Sequence, residues 1–576
     1  MGSGGIDIRA AVARRDAYRA SLPPQAATEQ TEAGRIAALP RWSPADVPDL
    51  TERYRTPGGT MSLRPVQNAM LWNLEQTGGL CGPVGVGGGK GLFSMLAPVA
   101  LRAERPLLLL PANLQDTFHM EYRKFRAHFK VAANLKIMTY SALSVNSGAD
   151  FLMRYKPDLI ICDEAHNLRH LTSTRTKRFM RYARQFPETR YAFISGTLTK
   201  RGLKDYAHLI ELALGDGAPI PLQLAELMSW ANVLDADGVA LPHDWRAVSR
   251  CLLPTRPTTD ARVAREAFAD RFRATPGVVA SDESDLGVGL YFHELPITEP
   301  EVVRAARLEL QRTWCRPDGE ELVDAFAVFR VEQQLSSGFY YVWDWPGGVV
   351  DTEWMERRAT WNKSVRRILK VNDHRWDSPL RVALALSNGT LEDPKALAAY
   401  EGWKAVRDRP QPPTKPVWLS DFLVRAAGAW VVQQLAARPG VPVSVWYEHT
   451  ALGAALEQLG LPLYGSGSDP QTSTDDALAC SIIAHGTGKN LQRTPTMLVL
   501  NWPRSGSTVE QLVGRAHRPG QLADAVEVYY LAHTPQARTS LRDSLTDETY
   551  VQQSMSTRRK VELGTWLPNT WSTTTT

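Results

Sequence analysis

At 576 residues, 43% of them hydrophobic, the chain is long enough for roughly three or four domains with cores of their own. Sixty-six basic against 61 acidic residues leave a net charge of +5, a mild excess that permits nucleic-acid binding without demanding it, since local clustering counts for more than the total. Five isolated cysteines without a CxxC pair argue against structural zinc and for reduced thiols, and no stretch has the length of a membrane span or a signal-peptide core, so a soluble cytoplasmic protein is expected.

Residues 1–55 alternate Arg/Ala-rich helical text with proline-containing stretches (SLPPQ, ALPRWSPADVPDL) and are expected to form a helical lead-in and an extended arm lying on something larger. Beyond Leu63, residues Val66, Met70, Leu71 and Leu74 recur at helical spacing up to Gly78-Gly79, which predicts an amphipathic helix with a glycine stop. Gln67, in its first turns, suits two readings equally: an amide that reads an adenine edge, or a solvated helix glutamine.

The apolar lead-in Leu80-Cys81-Gly82-Pro83-Val84 runs into Gly85-Val86-Gly87-Gly88-Gly89-Lys90-Gly91, and helical text follows. Glycines ahead of a lysine that opens a helix let backbone N–H groups curl round a phosphate, while the helix N-terminus and the ammonium supply positive charge. A nucleotide loop is therefore expected, with Gly85, Gly87, Gly88, Gly89, Lys90 and Gly91 at the phosphates. It departs from the GxxxxGK[ST] pattern twice. Val84 stands where the first small residue belongs, and Gly91 stands where a hydroxyl normally ligands Mg2+. Without the hydroxyl the metal must lean on water and an acid elsewhere, leaving slow turnover or binding without efficient hydrolysis as the expected consequences.

Buried strands and helices then alternate. PLLLLPA (106–112) and LKIMTYSALS (135–144) read as strands, with a basic amphipathic helix between them. PDLIICDEAH places Asp163-Glu164-Ala165-His166 at the end of an apolar strand, the edge where open α/β sheets bind ligands. Asp163 is expected to hold Mg2+, directly or through water, and Glu164 to orient and deprotonate an attacking water. RYAFISGTLTK (190–200) ends a further strand in Ser195-Gly196-Thr197, hydroxyl residues placed to couple the phosphate site to a neighbouring surface.

From about 205 to 415 the rhythm breaks into helices and loops. Its aromatics interleaved with Lys and Arg, as in FYYVWDWPGG and WMERRATWNK, fit a strand-tracking surface, and fit a helical insert with a tryptophan core at least as well. PQPPTKP (410–416) is expected to be a stiff boundary. Strand–helix alternation resumes through VPVSVWYEHT, LPLYGSGS, CSIIAHGTGKNLQ, TMLVLNWPRSGS and AVEVYYLAHT, which predicts a second parallel sheet; a last helix precedes a polar TWSTTTT tail expected to be disordered. Gln511-Leu512-Val513-Gly514-Arg515-Ala516-His517-Arg518-Pro519-Gly520-Gln521 is expected on a helix starting near Ser507, where Arg515 and Arg518, three residues apart, share a face and meet one anionic ligand.

Taken in order these stretches resemble the superfamily 2 helicase-like ATPases, most closely the Swi/Snf-like translocase branch. Gln67 looks like the adenine-reading glutamine, Gly85 to Lys90 like motif I, the DEAH box Asp163 to His166 like motif II and Ser195 to Thr197 like motif III. Gly486 to Leu491, with Gly488 at the nucleotide, is similar to GxGxNL of motif V, and Gln511 to Gln521 to QxxGRxHRxGQ of motif VI. Arg262 to Arg307 is loosely similar to the region between the lobes, and the insertion-poor layout to phage-encoded members, which would place the protein in a host cytoplasm.

The resemblance implies an α/β fold with two RecA-like parallel-sheet lobes in tandem and a largely helical insertion between them. The expected division is 1–55, lobe 1 over 56–225, the insertion over 226–415, lobe 2 over 416–545 and a C-terminal helix and tail over 546–576. The implied activity is ATP- and Mg2+-dependent translocation on duplex or branched DNA, or on single strands, with RNA left open. Lys90, Asp163, Glu164, Arg515 and Arg518 would be catalytic, Gln67, Gly488 and Gln511 would line the nucleotide, and Asp163 would hold the metal. The rival expectation, motivated by Val84 and Gly91, is a nucleotide-dependent DNA-binding scaffold with weak or no hydrolysis.

Overall fold

The computed structural model describes residues 31–567 apart from 86–87, 197, 282–286, 372–378, 487–488 and 556. The expectations for residues 1–30 and for the polar tail lie outside the described residues.

The chain is α/β with two parallel sheets. The first joins β1 (Leu80–Gly82), β2 (Pro106–Leu110), β3 (Lys136–Thr139), β4 (Leu159–Asp163) and β5 (Arg190–Ile194) in the order β1-β5-β4-β2-β3. Every pair is parallel, so each connection must cross over a face of the sheet and bury it. That is why β2 is apolar from end to end: all its residues are buried, with Leu107 and Leu109 in the core on one face and Leu108 and Leu110 in the core on the other.

The proline-containing arm straps this unit. Ile36 enters one core, Leu50 and Tyr54 the other, and the Trp42 indole donates to the Val278 carbonyl at 3.1 Å. Helices Leu224–Leu234, Pro242–Leu252 and Ala261–Arg273 add Trp230, Val248, Phe268 and Phe272 to the first core. Beyond them Val278 runs alongside Cys81 as a further parallel bridge.

The chain then passes through β6 (Gly289–Glu294), the antiparallel pair β7 (Phe339–Trp343) and β8 (Thr414–Trp418), and then β9 (Val443–Tyr447), β10 (Leu463–Tyr464), β11 (Ala477–Ser481), β12 (Thr496–Val499), β13 (Ala525–Tyr530) and β14 (Thr565–Leu567). Seven of these form the second parallel sheet, in the order β10-β11-β9-β12-β13-β6-β14.

Several expectations change here. The stretch 226–415 distributes over three places: three helices pack on the first sheet, β6 belongs to the second, and the remaining helices surround the β7–β8 ribbon. The boundary text at 410–416 runs into β8, where Pro416 is tolerated because a two-stranded ribbon leaves an edge free. The aromatics build a core: Trp354 and Trp361 are 2% and 5% exposed, and Trp354 packs edge-on to Trp343, Trp345 and Trp403. In CSIIAHG the strand ends at Ser481, whose hydroxyl accepts from the Ala484 N–H and starts the short helix Ile482–His485. The segment between the last helix and the polar tail contributes a strand. Thr565–Leu567 pairs with Tyr291–His293, and Trp566 stacks on Phe292 with 4.3 Å between ring centroids.

Because that ring is the main apolar anchor of β14, Trp566→Ala is expected to cost on the order of 2 kcal/mol, read as a lower denaturant midpoint; an unchanged midpoint would show the strand to be dispensable. A second prediction concerns His449, edge-on to Phe339, whose Nε2 is buried without a hydrogen-bond partner among the described residues. Burial lowers its pKa to about 4. The unfolded chain, with an imidazole pKa of about 6.5, takes up the proton first as pH falls, so this part of the stability is complete above pH ~6.5 and is lost towards pH ~4. His449→Phe should flatten the fall in melting temperature between about pH 7 and 5; identical curves would refute this.

Candidate active site

Parallel register brings the first sheet's carboxyl ends together: Gly82 and Asp163 both lie opposite Ile194 on the two sides of β5. The glycine-rich turn, the acids and Ser195 therefore emerge side by side. Gly89 takes the left-handed conformation at φ 76° just before the Lys90–Ala100 helix, and no side chain caps that helix's first N–H groups. A Cβ on Gly89 would overlap the Gln67 amide. Gln67 itself is 4% exposed, with Oε1 accepting from the Arg64 N–H at 2.9 Å and Nε2 donating to the Gly89 carbonyl at 3.2 Å. It thus reaches the loop expected of it, but both ends of its amide hold the loop and the helix start. At the far side Gly196 packs on the loop, where a Cβ would come within 3.2 Å of Gly85 Cα.

The Lys90 ammonium lies 3.2 Å from Glu164 Oε1 and 3.3 Å from the Val84 carbonyl oxygen, with the lysine and glutamate side chains only 11% and 13% exposed. Ser195 donates to Glu164 Oε2 at 3.0 Å, and His166 Nδ1 lies 3.0 Å from the same hydroxyl. A hydroxyl has one proton to give, so Nδ1 is the donor in that bond and His166 carries its proton there. Burial alone would raise the Glu164 pKa, but the Lys90 charge and the His166 hydrogen bond outweigh it and hold the carboxyl well below the usual range. Asp163 has the opposite balance. Burial raises its pKa, opposed by Lys90 and reinforced by the charge of Glu164. Glu164 is also one of four non-glycine residues at positive φ among the described residues, at 53°, a backbone state that costs about 1–2 kcal/mol. Tyr140, donating to the Asp163 carbonyl at 2.8 Å, fixes the preceding peptide.

The second sheet supplies the arginines, with a change in how. The Gly506–Val513 helix stops before them, since Gly514 caps it and Pro519-Gly520 turns the chain, with Gly520 at φ 89°. Arg515 and Arg518 therefore do not share a helix face. Arg515 is 4% exposed and donates to the Gln511 carbonyl at 2.9 Å and the Lys489 carbonyl at 2.8 Å, while its own carbonyl accepts from the Leu491 N–H at 3.0 Å. Burial, reinforced by Arg518, lowers its pKa to about 9, and the charge of Glu164 opposes the shift. The charge of Arg518 bears on a different acid, Glu121, where it opposes the rise in pKa that burial causes. Gln511 is buried beside them.

Gly85, Gly88, Gly89, Lys90 and Gly91 lie together at this edge with Asp163 and Glu164; Gly87, Thr197 and Gly488 are outside the described residues. Two residues were not legible beforehand. Glu121, on the Gln115–Phe125 helix, stands over Gly91. Arg559, 3% exposed and paired with Glu548, donates to the Gly196 carbonyl at 2.6 Å, and the next residue's N–H donates to Glu510 at 2.8 Å. The absent side chain at 91 was the only sequence signal for Glu121, and nothing pointed to Arg559.

The residues suit a nucleotide and magnesium. An uncapped helix N-terminus and a lysine meet phosphate, and buried carboxyls meet a hard cation. Among the described residues no three His, Cys, Asp or Glu side chains could hold a metal by themselves. Magnesium takes one or two carboxylates and completes its shell with water and phosphate oxygens. No protein-family model matches this chain, and no curated protein matches it either. No helix among the described residues is long and apolar enough to cross a membrane.

Gly89→Ala is expected to cost about 1–2 kcal/mol, from the left-handed backbone, and further stability from the overlap with Gln67. Chemical denaturation measures this, and a midpoint equal to the parent's would contradict it.

Proposed function

We propose that the chain is an ATP-dependent DNA translocase of the superfamily 2, Swi/Snf-like kind, with its two sheets acting as RecA-like lobes in tandem. One observation carries the reading: the buried Arg515 and its neighbour Arg518, from the second sheet, bear electrostatically on Glu164 and Glu121, which stand beside the lysine-bearing turn of the first. Neither sheet holds a full set of charges for phosphoryl transfer.

In this reading Lys90 holds the β- and γ-phosphates, Asp163 the magnesium and Glu164 the attacking water. Magnesium, when bound, neutralises charge on the phosphate oxygens and fixes their geometry. Binding of the triphosphate draws the Lys90 ammonium away from Glu164. The charge that keeps the carboxyl acidic is then shared with phosphate, and Glu164 becomes a stronger base for the water proton. Ser195 and His166 hold its other oxygen in place. Arg515 and Arg518 offset the negative charge that builds on the transferring group. ATP thus favours approach of the sheets and hydrolysis their release, and two phosphate-backbone grips convert the cycle into steps along DNA.

Gly91 motivates a second reading, a nucleotide-dependent DNA-binding scaffold. ATP hydrolysis measured without nucleic acid and with single-stranded, duplex, forked and RNA ligands separates the two. The translocase reading expects stimulation by DNA, a fall of about 10²–10⁴ in rate for Glu164→Gln and of about 10³ or more for Arg515→Ala. A background rate on every ligand, unchanged in Glu164→Gln, would establish the scaffold instead.

A further inference from the structure

Where a phosphate loop carries a hydroxyl residue after its lysine, that oxygen reaches the magnesium ion at the phosphates. Residue 91 is glycine here, yet the space above it is filled. A Cβ built on Gly91 would overlap Glu121 Oε2 and lie 3.6 Å from Glu121 Cδ. Glu121 comes from the Gln115–Phe125 helix, which packs along the Lys90–Ala100 helix that the loop opens into. Its carboxyl is partly buried, and no hydrogen bond or ion pair engages it among the described residues. Burial raises its pKa; Arg518, then Lys124 and Arg64, oppose this, and the charge of Glu121 in turn bears on Asp163. One acid thus stands at the loop position that lacks its ligand, near the carboxylate expected to hold the metal and opposite an arginine of the second sheet.

We propose that Glu121 takes the place of the missing loop hydroxyl as a magnesium-side ligand of the nucleotide site, and that glycine at 91 is the space this requires. The proposal rests on the nucleotide reading above. Its chemistry is consistent: magnesium accepts oxygen ligands and tolerates two carboxylates when phosphates complete its shell. The extra negative charge relative to a hydroxyl is balanced by Arg518. Gly91 and Glu121 then form a matched pair, in which a side chain at 91 evicts the carboxylate and loss of the carboxylate leaves the glycine uncompensated.

The full-length chain titrated with ADP by calorimetry, in magnesium and in EDTA, tests this without relying on turnover. Magnesium should strengthen ADP binding to the parent protein. Glu121→Gln should keep the metal-free affinity and lose about tenfold or more of the magnesium gain. Gly91→Ser alone should lose it too, because its side chain meets Glu121, and Gly91→Ser with Glu121→Ala, which removes the obstructing side chain as well as its charge, should recover it. A full magnesium gain in Glu121→Gln would overturn the proposal. Should that variant melt early, Gly91→Ala serves in its place, and a full gain there would overturn the proposal equally. A parent protein that binds ADP in neither buffer would overturn the nucleotide reading itself.

Discussion

The ion pair between Lys90 and Glu164 is the constraint on which the site depends. Both groups are largely out of water, and a buried charge is tolerated only when it is paired and hydrogen-bonded. Each therefore needs the other, and each is delivered by a different element: the lysine by the helix after β1, the glutamate by the end of β4. The positive φ of Glu164, the Ser195 hydroxyl and the His166 ring all serve to aim one carboxylate. In the proposed nucleotide reading, a bound polyphosphate would compete for the same ammonium. Ligand binding and the basicity of the acid would thereby be linked through one side chain.

The arginines are set by a different device. Arg515 spends donors on the carbonyls of Gln511 and Lys489, and the Leu491 N–H returns a bond to the Arg515 carbonyl. The segments 489–491 and 511–518 thus behave as one knot, braced further by Gln521, which donates to the Gln492 and Ala516 carbonyls at 2.9 and 3.0 Å. A guanidinium tied in this way loses little rotamer freedom when it meets an anion, which is what a preorganised electrostatic site requires.

Much of this was legible because parallel strands buried on both faces carry no alternation. PLLLL and LIIC could be little else, and an acid following such a run must surface at the sheet's ligand-binding edge. The helix end at Val513 was hidden, since RAHR after Gly514 has ordinary helical propensity and the end depends on Gly514 together with the turn at Pro519-Gly520 and the ties to Gln492. β14 was hidden because its partner strand lies far upstream and its polar neighbours mask Trp566. Glu121 approaches Gly91 through helix packing, across thirty positions of chain, and no local pattern encodes such an approach.

The parallel pairing of β14 with β6 also bears on how the protein is made. The first sheet draws its strands from one continuous stretch, Leu80 to Ile194, and can assemble as that stretch leaves the ribosome. The second opens with β6 and gains its flanking strand only from Thr565–Leu567, while Tyr550, Val551 and Met555 of the last long helix complete the core beneath the first. A nascent chain therefore carries its lysine and acids long before Arg515 and Arg518 are made.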